Sequence, residues 1–145
     1  MAAAFLVKSE PGTYPYSRLA QEGRVSWDGI RNYEARNTLR EMKRGDRVYF
    51  YHSGAERRVV GVGRVTRAPH PDPTAPGEDW SAVEIAAEAA LPQPVTLATL
   101  RADPTLGQLE LVRRPRLSVT RVTPREAARL EELAGLRSGR ASPAK

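Results

Sequence analysis

A chain of 145 residues, 40% apolar and 28% charged, is long enough to bury one core without staples, and two domains would be cramped. It has no cysteine, which excludes disulfides, thiolate nucleophiles and cysteine-bound zinc. The formal charge of +6 is compatible with a nucleic-acid partner, but Arg137, Arg140 and Lys145 supply half of the excess, so charge alone decides little. Twelve prolines and eleven glycines favour short elements and many turns, hence a β-rich or mixed architecture. The opening apolar run, Ala2 to Val7, is shorter than a signal-peptide core, and nothing later reaches the length of a membrane span. A cytoplasmic chain is expected, with residues 137–145 as a disordered basic tail.

Phe5-Leu6-Val7 reads as a short buried strand that ends at Lys8-Ser9-Glu10-Pro11, where proline stops ladder pairing. Ser17 can cap a helical turn through Ala20 and Gln21, stopped by Gly23. Ala35, Leu39 and Met42 recur at helical spacing and predict a helix from Tyr33 to Arg44, with Glu34 in its first turn and Gly45 after its end. Val48 to His52 reads as a strand apolar on both faces, turned back by Ser53 to Glu56 into a second strand, Val59 to Thr66. Gly61 and Gly63 clear one face of that strand so that a helix or a ligand can approach its backbone. His70 to Gly77 is a loop by its prolines, and Trp80 to Ala87 a strand, although Ala86 to Ala90 is also compatible with helix. A short helix is expected from Thr96 to Arg101 and a late strand at Leu117-Ser118-Val119. Thr123-Pro124-Arg125-Glu126 is a capping box with proline at the first helical position; Ala127, Leu130, Leu133 and Ala134 form the buried face of its helix, and Gly135 ends it.

The densest recognition chemistry lies between Trp27 and Asn37, where two aromatic rings, two arginines, two asparagines and a glycine lead into a helix. Trp27 could be a core ring beside an Asp-Gly turn. Arg31, Asn32, Arg36 and Asn37 nearby favour a pocket, because an aromatic face beside amides can hold an unstacked base by its face and its Watson–Crick edge. Catalytic constellations are weaker. His52 and His70 are the only imidazoles and lack metal-site spacing, so no metal is expected. Ser9, Ser53, His52 and Asp28 can be written as a triad, but no Gly-x-Ser-x-Gly elbow is present. Gly61-Val62-Gly63 lacks the third glycine of a phosphate loop and opens no helix, so no nucleotide cofactor is expected.

Lys8-Ser9-Glu10-Pro11, Trp27 to Asn37, Met42-Lys43-x-Gly45-Asp46, Phe50-Tyr51-His52-Ser53, Val60-Gly61, Pro71-Asp72-x-Thr74, Pro94-Val95 and Arg116-Leu117-Ser118-Val119 together resemble the EVE domain, the family of thymocyte nuclear protein and its bacterial relatives. The resemblance runs in order from Phe5 to about Leu133. It implies one α+β domain over residues 1–136, a PUA-like mixed β pseudo-barrel with peripheral helices related to the YTH readers of methylated RNA. It also implies a non-enzymatic reader of modified DNA bases, with 5-methylcytosine and its oxidised forms as the leading candidates. By the family pattern, Ser9, Glu10, Trp27, Asp28, Asn32, His52, Ser53, Asp72 and Ser118 are expected around the base pocket. Lys8, Arg31, Arg36 and Arg116 are expected near the phosphates. Ile30, Glu34 and Arg121 depart from the pattern, where valine, glutamine and proline are usual. The competing expectations are an RNA-binding PUA-like module and, last, a base-processing enzyme using His52 or Asp72 as acid or base.

Overall fold

The apolar run near the N-terminus forms strand β1 (Ala4–Ser9), one strand in from the edge of a six-stranded sheet, in a computed structural model that describes residues 3–136. The expected tail, 137–145, lies outside the described residues. β1 pairs in parallel with β3 (Arg47–His52) and antiparallel with β6 (Val119–Val122). Beyond β3 come β4 (Arg58–Pro71), β5 (Ser81–Thr96) and β2 (Arg24–Trp27), all antiparallel, giving the order β2-β5-β4-β3-β1-β6. β2 and β6 are edges, so the sheet curls without closing. Four register shifts between β4 and β5 bend this long hairpin, as extra residues in one strand do.

Both faces of the sheet are covered, which explains why β1 and β3 read as apolar throughout. Phe5, Val7, Val48 and Phe50 point to one side, where α1 (Tyr16–Glu22) and α2 (Tyr33–Leu39) pack through Leu19, Ala35 and Leu39. Leu6, Tyr49 and Tyr51 point to the other, beneath α3 (Leu97–Ala102), α4 (Glu110–Arg113) and α5 (Pro124–Ala134). The two-residue period of a strand sends successive side chains to opposite faces, so both cores are fed by the same two strands. No helix among the described residues is long and apolar enough to cross a membrane.

Several boundaries move. α2 ends at Leu39, not at Arg44: Glu41 N–H and Met42 N–H bond three residues back to Thr38 and Leu39, and the buried Asp46 carboxylate takes Lys43 N–H at 2.8 Å and Ala3 N–H at 3.0 Å. Met42 still reaches the core because the tightened turn keeps it on the same face. Ser17 is not a cap; it lies inside α1, whose N-cap is Pro15. β4 continues through His70 and Pro71, which pair with Ala82 and Ser81, so the loop begins at Asp72. Ala86 to Ala90 are strand, since pairing with β4 overrides the helical preference of alanine. Thr96 caps α3, and β6 begins at Val119, leaving Leu117 and Ser118 in the preceding turn. The capping box at Thr123 and Glu126 forms as expected. The glycine-cleared face of β4 is filled by protein: a Cβ on Gly61 would stand 2.5 Å from the Tyr16 ring, whose hydroxyl donates to Val62 O at 2.7 Å.

Candidate nucleic-acid interface

Because β1 and β3 run parallel and in register, they end together, with Ser9 opposite His52. That shared end brings Lys8, Ser9, Glu10, His52 and Ser53 side by side, with Ser53 N–H donating to Ser9 O at 3.0 Å. After Pro11 the chain folds back on itself: Thr13 and Tyr14 N–H groups both donate to Glu10 O, and the Ser9 hydroxyl donates to Tyr14 O. The Glu10 carboxylate stays exposed above Gly54, where a Cβ would stand 2.8 Å from its Oε2, so the missing side chain leaves room for it. His52 is buried and fully engaged. Its Nε2 accepts from Tyr16 N–H at 3.0 Å, which fixes the remaining proton on Nδ1, and Nδ1–H donates to Glu56 at 2.9 Å.

Trp27 ends the edge strand β2 opposite Val83 and is half-buried. Phe50 from β3 meets it edge-on at 5.3 Å and 88°, and Tyr14 at 6.2 Å and 70°. These contacts hold the indole against the joint end of β1 and β3. Lys8 closes the opposite side: its ammonium donates to Pro115 O, its backbone N–H to Ser118 O at 2.9 Å, and burial pushes its pKa below the ordinary value. Ser118 is half-buried there, and Arg116 is exposed with no ion pair among the described residues.

The second polar centre is Asp72, buried at the start of the loop between β4 and β5. Oδ2 accepts from Gly29 N–H at 2.9 Å and from Arg31 at 3.0 Å; Oδ1 accepts from Thr74 N–H at 2.7 Å and its hydroxyl at 2.6 Å. Burial opposes ionisation, but the Thr74 hydroxyl, the two N–H groups and the Arg31 guanidinium outweigh it and hold the carboxyl well below the usual carboxylate range. Asp72 therefore fixes the turn after Trp27, where Gly29 has φ of +78° and Asp28 is half-buried. Asn32 caps α2, its Oδ1 accepting from Ala35 N–H at 2.9 Å. Arg36 is drawn inward: it reaches Asp79 at 3.2 Å and Asn37, and only 15% of its side chain is exposed.

The structure thus gathers Lys8, Ser9, Glu10, Trp27, His52, Ser53 and Ser118 at one end of the sheet. Asp72 and Arg31 lie along the adjoining loop, and Arg116 sits beside Lys8 on the exposed side. Arg31 and Arg36 serve first as ties between α2 and the 72–80 loop. Sequence reasoning missed Tyr14 and Trp80. Tyr14 follows the proline-glycine turn, and Trp80 could have been noticed as the second of two tryptophans, next to Asp79. Of the departures from the family pattern, Glu34 pairs with Arg114 at 2.8 Å, Arg121 bridges Glu41 and Glu110, and Ile30 is buried in the α1–α2 core.

Residues 3–133 match the sequence profile of the EVE domain. The chain belongs to the EVE domain family. An uncharacterised protein of Schizosaccharomyces pombe is 37% identical over 134 residues, covering 79% of this chain and 56% of that protein. The EVE chain therefore spans about half the length of the curated relatives it matches. A crystal structure from Agrobacterium tumefaciens superposes with a TM-score of 0.90 at 41% identity, covering 93% of this chain and 94% of the other. The human THYN1 protein, solved in complex with DNA containing 5-methylcytosine, superposes with a TM-score of 0.84 at 27% identity, covering 92% and 98%. The EVE fold here is PUA-like, as the sequence resemblance implies.

Proposed function

We propose that this EVE domain is a non-catalytic nucleic-acid-binding module that holds a flipped, modified base, 5-methylcytosine or an oxidised derivative in DNA, against Trp27. The observation that carries the reading is the indole braced edge-on by Phe50 and Tyr14 beside the polar ends of β1 and β3. The likeness to a protein solved with methylcytosine DNA supports it. Extruding a base costs a few kcal/mol, and stacking on an aromatic returns about 1 to 3 kcal/mol, so edge and phosphate contacts must supply the rest.

In this reading Trp27 takes the base face. Ser9, Glu10, Asp28, Asn32, Ser53 and Ser118 supply polar groups around its edge, while His52 and Asp72 hold the walls. Lys8 and Arg116 face the phosphates, and Arg31 and Arg36 add charge while tying α2 down. A reader is favoured over an enzyme because both His52 nitrogens and both Asp72 oxygens are committed within the fold, leaving neither as a ready acid or base. A cytoplasmic location goes with the proposal.

Titrating wild type and Trp27→Ala against methylated, hydroxymethylated and unmodified duplexes at fixed salt tests it. The variant should lose on the order of tenfold or more in affinity for modified duplex, and its preference over unmodified duplex should collapse. An unchanged preference would remove Trp27 from the assignment, and a preference for matched unmodified RNA in competition would overturn the DNA reading.

A further inference from the structure

Outside the Trp27 site, the described residues hold one large exposed hydrophobic side chain, Tyr33 at 66% exposure. Its ring is stacked on Trp80, with centroids 5.1 Å apart and planes 14° from parallel. The Arg36 guanidinium carbon stands 5.0 Å from the Tyr33 centroid and 5.8 Å from that of Trp80. A cation over the outer face of Tyr33 would lie far beyond that distance from Trp80, so Arg36 flanks the stack rather than capping it. Arg31 lies 5.5 Å from the Trp80 centroid. The outcome is a short aromatic column, braced by two guanidiniums, whose last ring presents one face to solvent.

The column is rigid and shares a support with the base site. Asp72 N–H donates to Trp80 O at 2.9 Å while its carboxylate holds Gly29 and Arg31, so one loop fixes both Trp80 and the turn after Trp27. Tyr33 is six residue steps beyond Trp27, which limits the spacing of their Cα atoms to at most about 20 Å, roughly six base steps of a duplex strand. The arginines beside the column are already paired, Arg31 with Asp72 and Arg36 and Arg40 with Asp79. This surface is therefore suited to a ring face more than to a phosphate.

We infer that Tyr33, stacked on Trp80, is a second base-stacking surface, which takes an unpaired nucleobase of the bound strand outside the pocket. The inference rests on the nucleic-acid reading but not on which base the pocket selects. Every base has a π face, and a ring face reads no base edge, so the contact adds affinity without discrimination. Opening a duplex to extrude one base also leaves neighbouring bases unstacked, and an aromatic step at this distance would compensate part of that cost.

Anisotropy titrations with wild type, Tyr33→Ala, Tyr33→Phe and Trp27→Ala against modified and unmodified oligonucleotides, double- and single-stranded, test the inference. Tyr33→Ala should weaken binding to all of them by about 5- to 150-fold while keeping the modified-to-unmodified ratio, and Tyr33→Phe should bind as wild type. Wild-type affinity in Tyr33→Ala overturns the second surface and leaves the base-reading proposal standing. Equal losses in Phe and Ala also overturn it, since the hydroxyl and not the ring face would then carry the effect. A wild-type ratio of one, with Tyr33→Ala still weak, removes base selection but supports the stack. Absence of any nucleic-acid binding by the wild type overturns both.

Discussion

Asp72 is the residue on which the geometry of both clusters depends, and its chemistry makes it testable by pH. An unfolded aspartate titrates near 3.9, and the folded carboxyl lies below that value because four donors favour its charged form. A depressed carboxylate contributes stability above the unfolded pKa and loses it as pH falls below about 4 toward the folded value. Thermal midpoints taken from pH 6 down to pH 2 should fall steeply at the acid end. Asp72→Asn should be about 2 kcal/mol less stable at neutral pH and show a shallower acid fall. Arg116 poses the opposite case. It is exposed and unpaired among the described residues, so Arg116→Ala should leave stability alone, weaken binding similarly across sequences and lower the slope of log affinity against log salt by about 1. Trp27 was singled out through its neighbours in sequence, and Asp72 through the family resemblance. That Arg36 is spent on Asp79 was not legible, because a side chain's partner 43 residues away leaves no local mark, whereas Asn32 caps a helix through Ala35, only three residues on.

At the scale of elements, the contact between α1 and the β4 backbone decides how firmly the site is held. Tyr16 is fixed by its ring on Gly61, its hydroxyl on Val62 O and its backbone N–H on His52, so α1 is bolted to the strand end that carries the site. Gly61→Ala has nowhere to place its methyl except into that ring. It should cost about 1 to 3 kcal/mol in urea denaturation and reduce ligand affinity through displaced His52, whereas Gly77→Ala faces no neighbour and would report only the strain of its positive φ. The glycine spacing correctly pointed to a close approach, and only the structure says that a tyrosine makes it. β1, β3 and the capped α5 were readable from apolar runs and a cap motif. The end of α2 was not, because Met42 keeps helical phase through a tighter turn, and the alanine-rich stretch 86–90 became strand only because β4 lies beside it.

The whole molecule divides its labour across the sheet. The face under α1 and α2 carries Trp27, Phe50 and Tyr14, while α3, α4 and α5 close the other face over Leu6, Tyr49 and Tyr51. On that second side the Tyr49 hydroxyl and the Arg47 guanidinium both donate to Glu131, securing α5 to the third strand; burial raises the Tyr49 pKa, and the Glu131 carboxylate reinforces the rise.

The protein has two tryptophans, and the fold has put one in each aromatic cluster, Trp27 against Phe50 and Trp80 under Tyr33. Its ultraviolet emission is consequently a two-channel optical reporter supplied by the sequence itself. Replacing either indole with phenylalanine leaves a single indole emitter, so quenching of tryptophan emission by an added oligonucleotide can be traced to one cluster or the other without attaching a dye.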